Sequence, residues 1–138
     1  MPMNEKTVML CYDQAPPTSN KNNGIGGRGH PLAIARTKKR WSEIWGAELM
    51  RARVPRGCSF IRATALIEYA TKGKRDSDNL YFPISKPLAD TCVRMGLIED
   101  DDPGHYAFER PVISLGVDGL NRLTKSRTTI MLHYTKEA

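Results

Sequence analysis

The chain has 138 residues, 40% of them apolar and 26% charged, with three cysteines and a formal net charge of +6. That length suits one domain able to bury roughly two-thirds of its unfolded surface without disulfides or a structural metal. No apolar run reaches the ~20 residues of a bilayer span, and the N-terminus MPMNEKTVML lacks the basic, apolar and small-residue regions of a secretory signal. The expectation is therefore a cytoplasmic protein with no membrane partner. Cys11, Cys58 and Cys92 are too widely spaced for a disulfide framework or a zinc motif, and His30, His105 and His133 are equally scattered, so reduced, mostly buried thiols are expected.

The charge is unevenly placed. Lys and Arg concentrate before residue 76, and Asp and Glu outnumber them after it. A basic half beside an acidic cluster suits an enzyme of phosphodiesters, with cations to hold a polyanion and carboxylates to hold a metal. Charge alone leaves an ordinary solvated basic surface equally open.

In chain order, Glu5 to Tyr12 alternates with apolar residues on both faces, as an interior strand does. Thr18 to His30, TSNKNNGIGGRGH, reads as a flexible, basic Gly/Asn-rich loop carrying Lys21 and Arg28. Its GIGGRG lacks the Lys-Ser/Thr pair of a nucleotide P-loop and the dinucleotide-binding spacing, so no nucleotide cofactor is expected. From Thr37 to Arg53 the positions Trp41, Ile44, Trp45 and Leu49 recur at helical spacing. The tryptophans, one turn apart, are expected in the core rather than stacked on bases. Arg36, Lys38, Lys39 and Arg40 crowd the start of this helix, where the macrodipole disfavours cations, which hints at a phosphate partner.

After Pro55-Arg56-Gly57, Ser59 to Ala70 reads as a strand with Ile61, Ala63, Ala65, Ile67 and Tyr69 on one face. A basic turn with Lys74 and Arg75 leads into Asp76-Ser77-Asp78-Asn79. Pro83 and Pro87 delay the next helix, because proline is tolerated only in a first turn. Ser85 is then the expected N-cap, with Ile84, Leu88, Cys92 and Met95 on one stripe, Lys86 and Asp90 on another, and Gly96 at the end. The acidic turn Glu99-Asp100-Asp101-Asp102-Pro103-Gly104 follows, then two strands at about Tyr106–Val117 and Arg127–Tyr134 joined around Asp118-Gly119. The expected fold class is α+β, a single domain with a small mixed β-sheet and two main helices in the order β-α-β-α-β-β.

Taken singly, Asp76 and Asp78 suit a solvated turn, Asp100 to Asp102 an acidic loop, and Lys86 a surface lysine. Their order along the chain is more specific. Two acidic groups joined by a lysine-bearing helix suggest a site for a hard divalent cation, since Mg²⁺ needs only one or two carboxylates besides water and a substrate phosphate.

The stretch Lys74 to Asp102 resembles the RusA-type Holliday-junction resolvases, endodeoxyribonucleases common in phages and prophages. Arg75, Asp76, Asp78, Asn79, Lys86, Asp90, Gly96, Asp100 and Asp101 follow that family's core pattern in order, and Pro17-x-Ser19-Asn20 and the basic, tryptophan-bearing helix are similar to its N-terminal half. One departure is the segment Leu80 to Ser85, about one helical turn longer than the commonest family form.

The resemblance implies a homodimeric, Mg²⁺-dependent nuclease, with Mn²⁺ as a substitute, that nicks opposing strands of a four-way DNA junction in recombination, repair or phage DNA processing. The cytoplasm would be the host's if the protein is phage-encoded. The implied catalytic residues are Asp76, Asp78, Lys86 and Asp101, with Asp76, Asp78 and Asp101 as metal ligands and Asp100 as a further ligand. Asn79 and Asp90 would support them, and Lys21, Arg28, Arg36, Lys38, Lys39, Arg40, Lys74 and Arg75 would contact branched DNA. Two rival readings are a nuclease preferring flaps or forks and a non-catalytic DNA-binding protein.

Overall fold

The computed structural model describes residues 5–18, 29–70, 76–115, 117–118, 121–122 and 125–137. The expected class is found: a small single-domain α+β fold with a mixed sheet and two helices. In chain order the larger elements are β1 (Glu5–Tyr12), α1 (Pro31–Arg51), β2 (Phe60–Tyr69), α2 (Asp78–Arg94), β3 (Tyr106–Phe108) and β4 (Val112–Leu115). A short pair, β5 (Val117–Asp118) and β6 (Asn121–Arg122), precedes β7 (Arg127–Thr135).

The sheet runs β1-β7-β2-β3, with β4 also paired to β2. β7 is antiparallel to both β1 and β2, while β3 and β4 run parallel to β2. The parallel step from β2 to β3 requires a crossover, and α2 provides it. Among the described residues β1 pairs with β7 alone, so it is an edge strand and not the interior strand its apolar content suggests. Only Leu10 of β1 is buried, and Met9 stays 55% exposed.

Alternation in β2 sends Ile61, Ala63, Ala65 and Ile67 to one face, all buried. Against them pack Leu10, Ile130 and Leu132 from neighbouring strands, Trp41, Trp45 and Leu49 from α1, and Leu80, Ile84, Leu88 and Cys92 from α2. Each fully buried Leu or Ile contributes about 1.5–3 kcal/mol relative to exposure, so this layer dominates the stability of the fold. The two tryptophans lie in the core as expected, with ring centroids 5.8 Å apart.

Both helices begin earlier than their patterns suggest. α1 starts at Pro31, which suits a first position where no N–H bond is lost; His30 caps it, its Nδ1 accepting from the Leu32 N–H at 3.2 Å. α2 starts at Asp78 rather than after Ser85, and carries Pro83 and Pro87 inside. Proline inside a helix removes a backbone hydrogen bond and clashes with the preceding turn, which by itself favours a later start. What overrides their cost is burial: Leu80, Pro83, Ile84, Pro87, Leu88, Thr91 and Cys92 form one continuous buried helical stripe. Gly96 ends α2 as expected, at φ 74°, with the Leu97 N–H donating to Cys92 O and the Gly96 N–H to Val93 O. The long strand expected from Tyr106 is interrupted at Glu109-Arg110-Pro111, giving β3 and β4.

Candidate active site

β3 and α2 run side by side in opposite directions, and their spacings match. Two strand residues span ~6.6 Å and four helical residues ~6 Å, so successive side chains meet rung by rung. Arg110 Nε donates to Ser77 Oγ. Phe108 meets Tyr81 edge to face at 5.4 Å, and the Tyr106 hydroxyl donates to Ser85 O at 3.3 Å. Tyr106 is buried, and that burial pushes its phenol well above the ordinary range, so it stays a neutral donor.

At the α2 end of this ladder the Asp78 N–H donates to Asp76 Oδ1 at 2.9 Å, and the Asn79 N–H donates to Asp76 O at 3.1 Å. Asp78 lies in the first turn of α2, where the macrodipole favours an anion. Both carboxylates are more than half exposed and share one guanidinium: Arg110 reaches Asp78 Oδ1 at 3.4 Å and Asp76 Oδ1 at 3.9 Å. Arg110 was not legible in the sequence as part of the site, because only the β2–β3 pairing carries it to the start of α2.

Two turns further along α2 is the second group. Lys86 and Asp90, four apart on one helix, pair at 3.1 Å. Asp90 also takes Lys38 of α1 at 2.7 Å, and Lys86 reaches Asp101 Oδ2 at 3.9 Å. The hydrogen bond that Lys86 donates to Asp90 raises the Lys86 pKa, so the amine stays cationic. For Asp90, partial burial pushes the pKa upward, but the two lysines outweigh it and leave the carboxyl below its usual range. In the turn before β3, Asp100 Oδ1 accepts from the Asp101 N–H at 2.7 Å. Asp102 Oδ1 meets His105 Nδ1 at 2.6 Å and accepts from the Gly104 N–H, which lowers the Asp102 pKa and raises that of His105.

The structure thus brings Asp76 to Asp78, and Lys86 to Asp90 and Asp101. From Ser77 to Ser85 the helix rises about 12 Å at ~1.5 Å per residue, which keeps the two groups apart along its axis. Among the described residues no three His, Cys, Asp or Glu side chains are grouped closely enough to hold one ion. The donor chemistry does fit a hard cation. Asp76 and Asp78 present exposed carboxylate oxygens that already attract a cationic side chain, and Asp100 and Asp101 offer the same donor type.

Of the DNA-contact candidates, Arg36, Lys39 and Arg40 are exposed on α1, with Arg40 donating to Gln14 Oε1 at 2.6 Å. Lys38 is partly buried by its pair with Asp90. Lys21, Arg28, Lys74 and Arg75, and most of the Gly-rich loop, lie outside the described residues. Lys38, Lys39, Glu43, Asp90 and Arg94 line a groove of about 470 Å³ between α1 and α2. Nothing in the sequence sets Arg94 apart from other helical arginines. A larger cavity of about 860 Å³ is lined by Tyr12, Gln14, Tyr69, Lys125 and Ser126, and none of the candidate acids borders it. No helix among the described residues is long and apolar enough to cross a membrane.

No protein-family model and no curated protein matches the chain.

Proposed function

We propose that the chain is a Mg²⁺-dependent, structure-selective endodeoxyribonuclease that resolves four-way DNA junctions by paired nicks and acts as a homodimer. The observation that carries the reading is the contact of Lys86 with Asp101 across the fold, within an ordered series of acids, Asp76, Asp78, Asp90, Asp100 and Asp101, of the kind the resemblance describes.

Asp76 and Asp78 at the start of α2, and Asp101 with Asp100 in the turn before β3, would be two separate carboxylate groups able to take Mg²⁺; the ion, when bound, would supply an activated water and charge neutralisation at phosphorus. Lys86 binds a non-bridging oxygen of the scissile phosphate and offsets the charge that grows there. Asp90 holds the Lys86 amine toward Asp101 while neutralising Lys38. The exposed cations of α1 and the groove beside Arg94 hold backbone phosphates, which fixes register without reading sequence.

A second reading has its own support. Asp76, Asp78 and Asp101 each already approach a basic side chain within the chain, as expected if they serve structure in a non-catalytic DNA-binding protein. Mg²⁺-dependent nicking of a synthetic four-way junction separates the two, with Asp101→Asn as the inactive, binding-competent control.

A further inference from the structure

Arg110 stands at the break between β3 and β4, and its backbone is held on both sides. The Glu109 N–H donates to Ala63 O at 3.0 Å, Phe108 lies opposite Ala63, and Val112 lies opposite Leu66. The side chain is 67% exposed and reaches across to the start of α2. There Nε donates to Ser77 Oγ, and the guanidinium lies 3.4 Å from Asp78 Oδ1 and 3.9 Å from Asp76 Oδ1. Both ion-pair distances exceed the ~2.7–2.9 Å of a charge-assisted hydrogen bond, so the cation sits over the acids without being locked to either. Glu109 does not neutralise it, since that carboxylate turns to Arg62 at 3.9 Å. Two carboxylates against one guanidinium leave the group net negative, which repels a phosphodiester.

We infer that Arg110 is a phosphate-binding residue held in reserve by Asp76 and Asp78, and that a divalent cation on those acids releases it to the DNA backbone. A hard cation takes the same carboxylate oxygens, and two positive groups at contact distance repel each other. The guanidinium therefore gives way. Because the backbone on either side is fixed, the side chain alone moves and stays beside the ion. Its planar fork of donors then matches a pair of phosphate oxygens. The charge of the site changes sign in the same step, so cation and phosphodiester each raise the affinity of the other by one common factor. Roughly 12 Å of helix separates Ser77 from Ser85, so the phosphate that Arg110 takes is a different one from that facing Lys86. The inference rests on the nuclease reading for the ion at Asp76 and Asp78, and it assigns Arg110 to holding the substrate rather than to cutting it.

The test compares the full-length wild type with Arg110→Ala for binding of a fluorescently labelled synthetic four-way junction, read by anisotropy. Each protein is measured in EDTA and in Ca²⁺, which takes the same oxygen donors as Mg²⁺. In EDTA the substitution is expected to weaken binding by no more than about twofold, because the guanidinium is engaged by the acids. In Ca²⁺ it is expected to weaken binding by about tenfold, the scale of one charge-assisted hydrogen bond to phosphate. Screening of the DNA by Ca²⁺ acts on both proteins alike and cancels in the ratio. Arg110→Lys is expected to recover part of the Ca²⁺-dependent loss, as a point charge without the planar fork does. At so exposed a position the melting temperatures of the variants should match the wild type. An equal loss in EDTA and Ca²⁺, or no loss in either, would overturn the release of Arg110 to phosphate. Those results leave the nicking assay untouched, whereas an absence of nicking with the Ca²⁺-dependent loss intact would count against the nuclease reading alone.

Discussion

Lys38 and Asp90 meet at 2.7 Å, and this ion pair joins α1 to α2 at the point where Asp90 also holds Lys86. One carboxylate therefore links the most basic stretch of the chain to the lysine proposed to face the scissile phosphate.

Removing that carboxylate leaves two ammonium groups without their shared partner. Asp90→Asn is expected to lower stability by about 1 kcal/mol at neutral pH, the upper part of the range for partly exposed pairs. The Asp90 pKa is depressed in the fold, so its contribution is complete above the unfolded value of about 3.9 and is lost as the pH falls through the lower folded value. Thermal melts of both proteins at stepped pH check this: the difference should persist from pH about 7 down to about 4 and close below that. A difference independent of pH would mean that Asp90 stabilises the helix pair by other means.

Arg110 competes with any cation for Asp76 and Asp78. Because exposed pairs contribute up to about 1 kcal/mol, Arg110→Ala is expected to raise Mn²⁺ affinity up to about fivefold, read by electron paramagnetic resonance of free Mn²⁺. Unchanged or weaker binding would argue that these two acids do not ligate the ion.

Arg53 adopts φ 58° just after α1, where its N–H donates to Met50 O and the Val54 N–H donates to Leu49 O. A side chain in the left-handed region is strained, and glycine is not. Arg53→Gly is expected to stabilise the protein by about 0.5–1 kcal/mol in a denaturant titration. A loss of stability would show that the Arg53 side chain makes contacts that outweigh the strain.

The sequence was most legible where periodicity met burial. Alternation in β2 located Ile61, Ala63, Ala65 and Ile67 in the core, and the spacing of Trp41, Trp45 and Leu49 did the same for α1. It failed at proline, since Pro83 and Pro87 suggest a barrier locally, while the buried stripe from Leu80 to Cys92 is a tertiary property. The edge position of β1 was hidden for a related reason: Val8, Leu10 and Met9 look alike in sequence, and only the pairing with β7 tells which side is covered. Within the site, the Lys86–Asp90 contact follows from helical spacing. The Lys86–Asp101 contact and the approach of Arg110 depend on the crossover and on β3 pairing with β2. The axial separation of Asp78 from Lys86 follows from α2 starting at Asp78, eight residues before the lysine.

The proposed activity is tested most directly by incubating the wild type with a labelled synthetic four-way junction in the presence and absence of Mg²⁺. The account predicts paired nicks in opposing strands that require Mg²⁺ and are lost in Asp101→Asn and Lys86→Ala while junction binding persists. It also predicts binding that weakens steeply with salt, because phosphates supply most of the affinity. Junction binding with no nicking across Mg²⁺ and Mn²⁺ titrations would contradict the account and leave the non-catalytic reading, whereas equal cutting of linear duplex, flap and junction would contradict its selectivity.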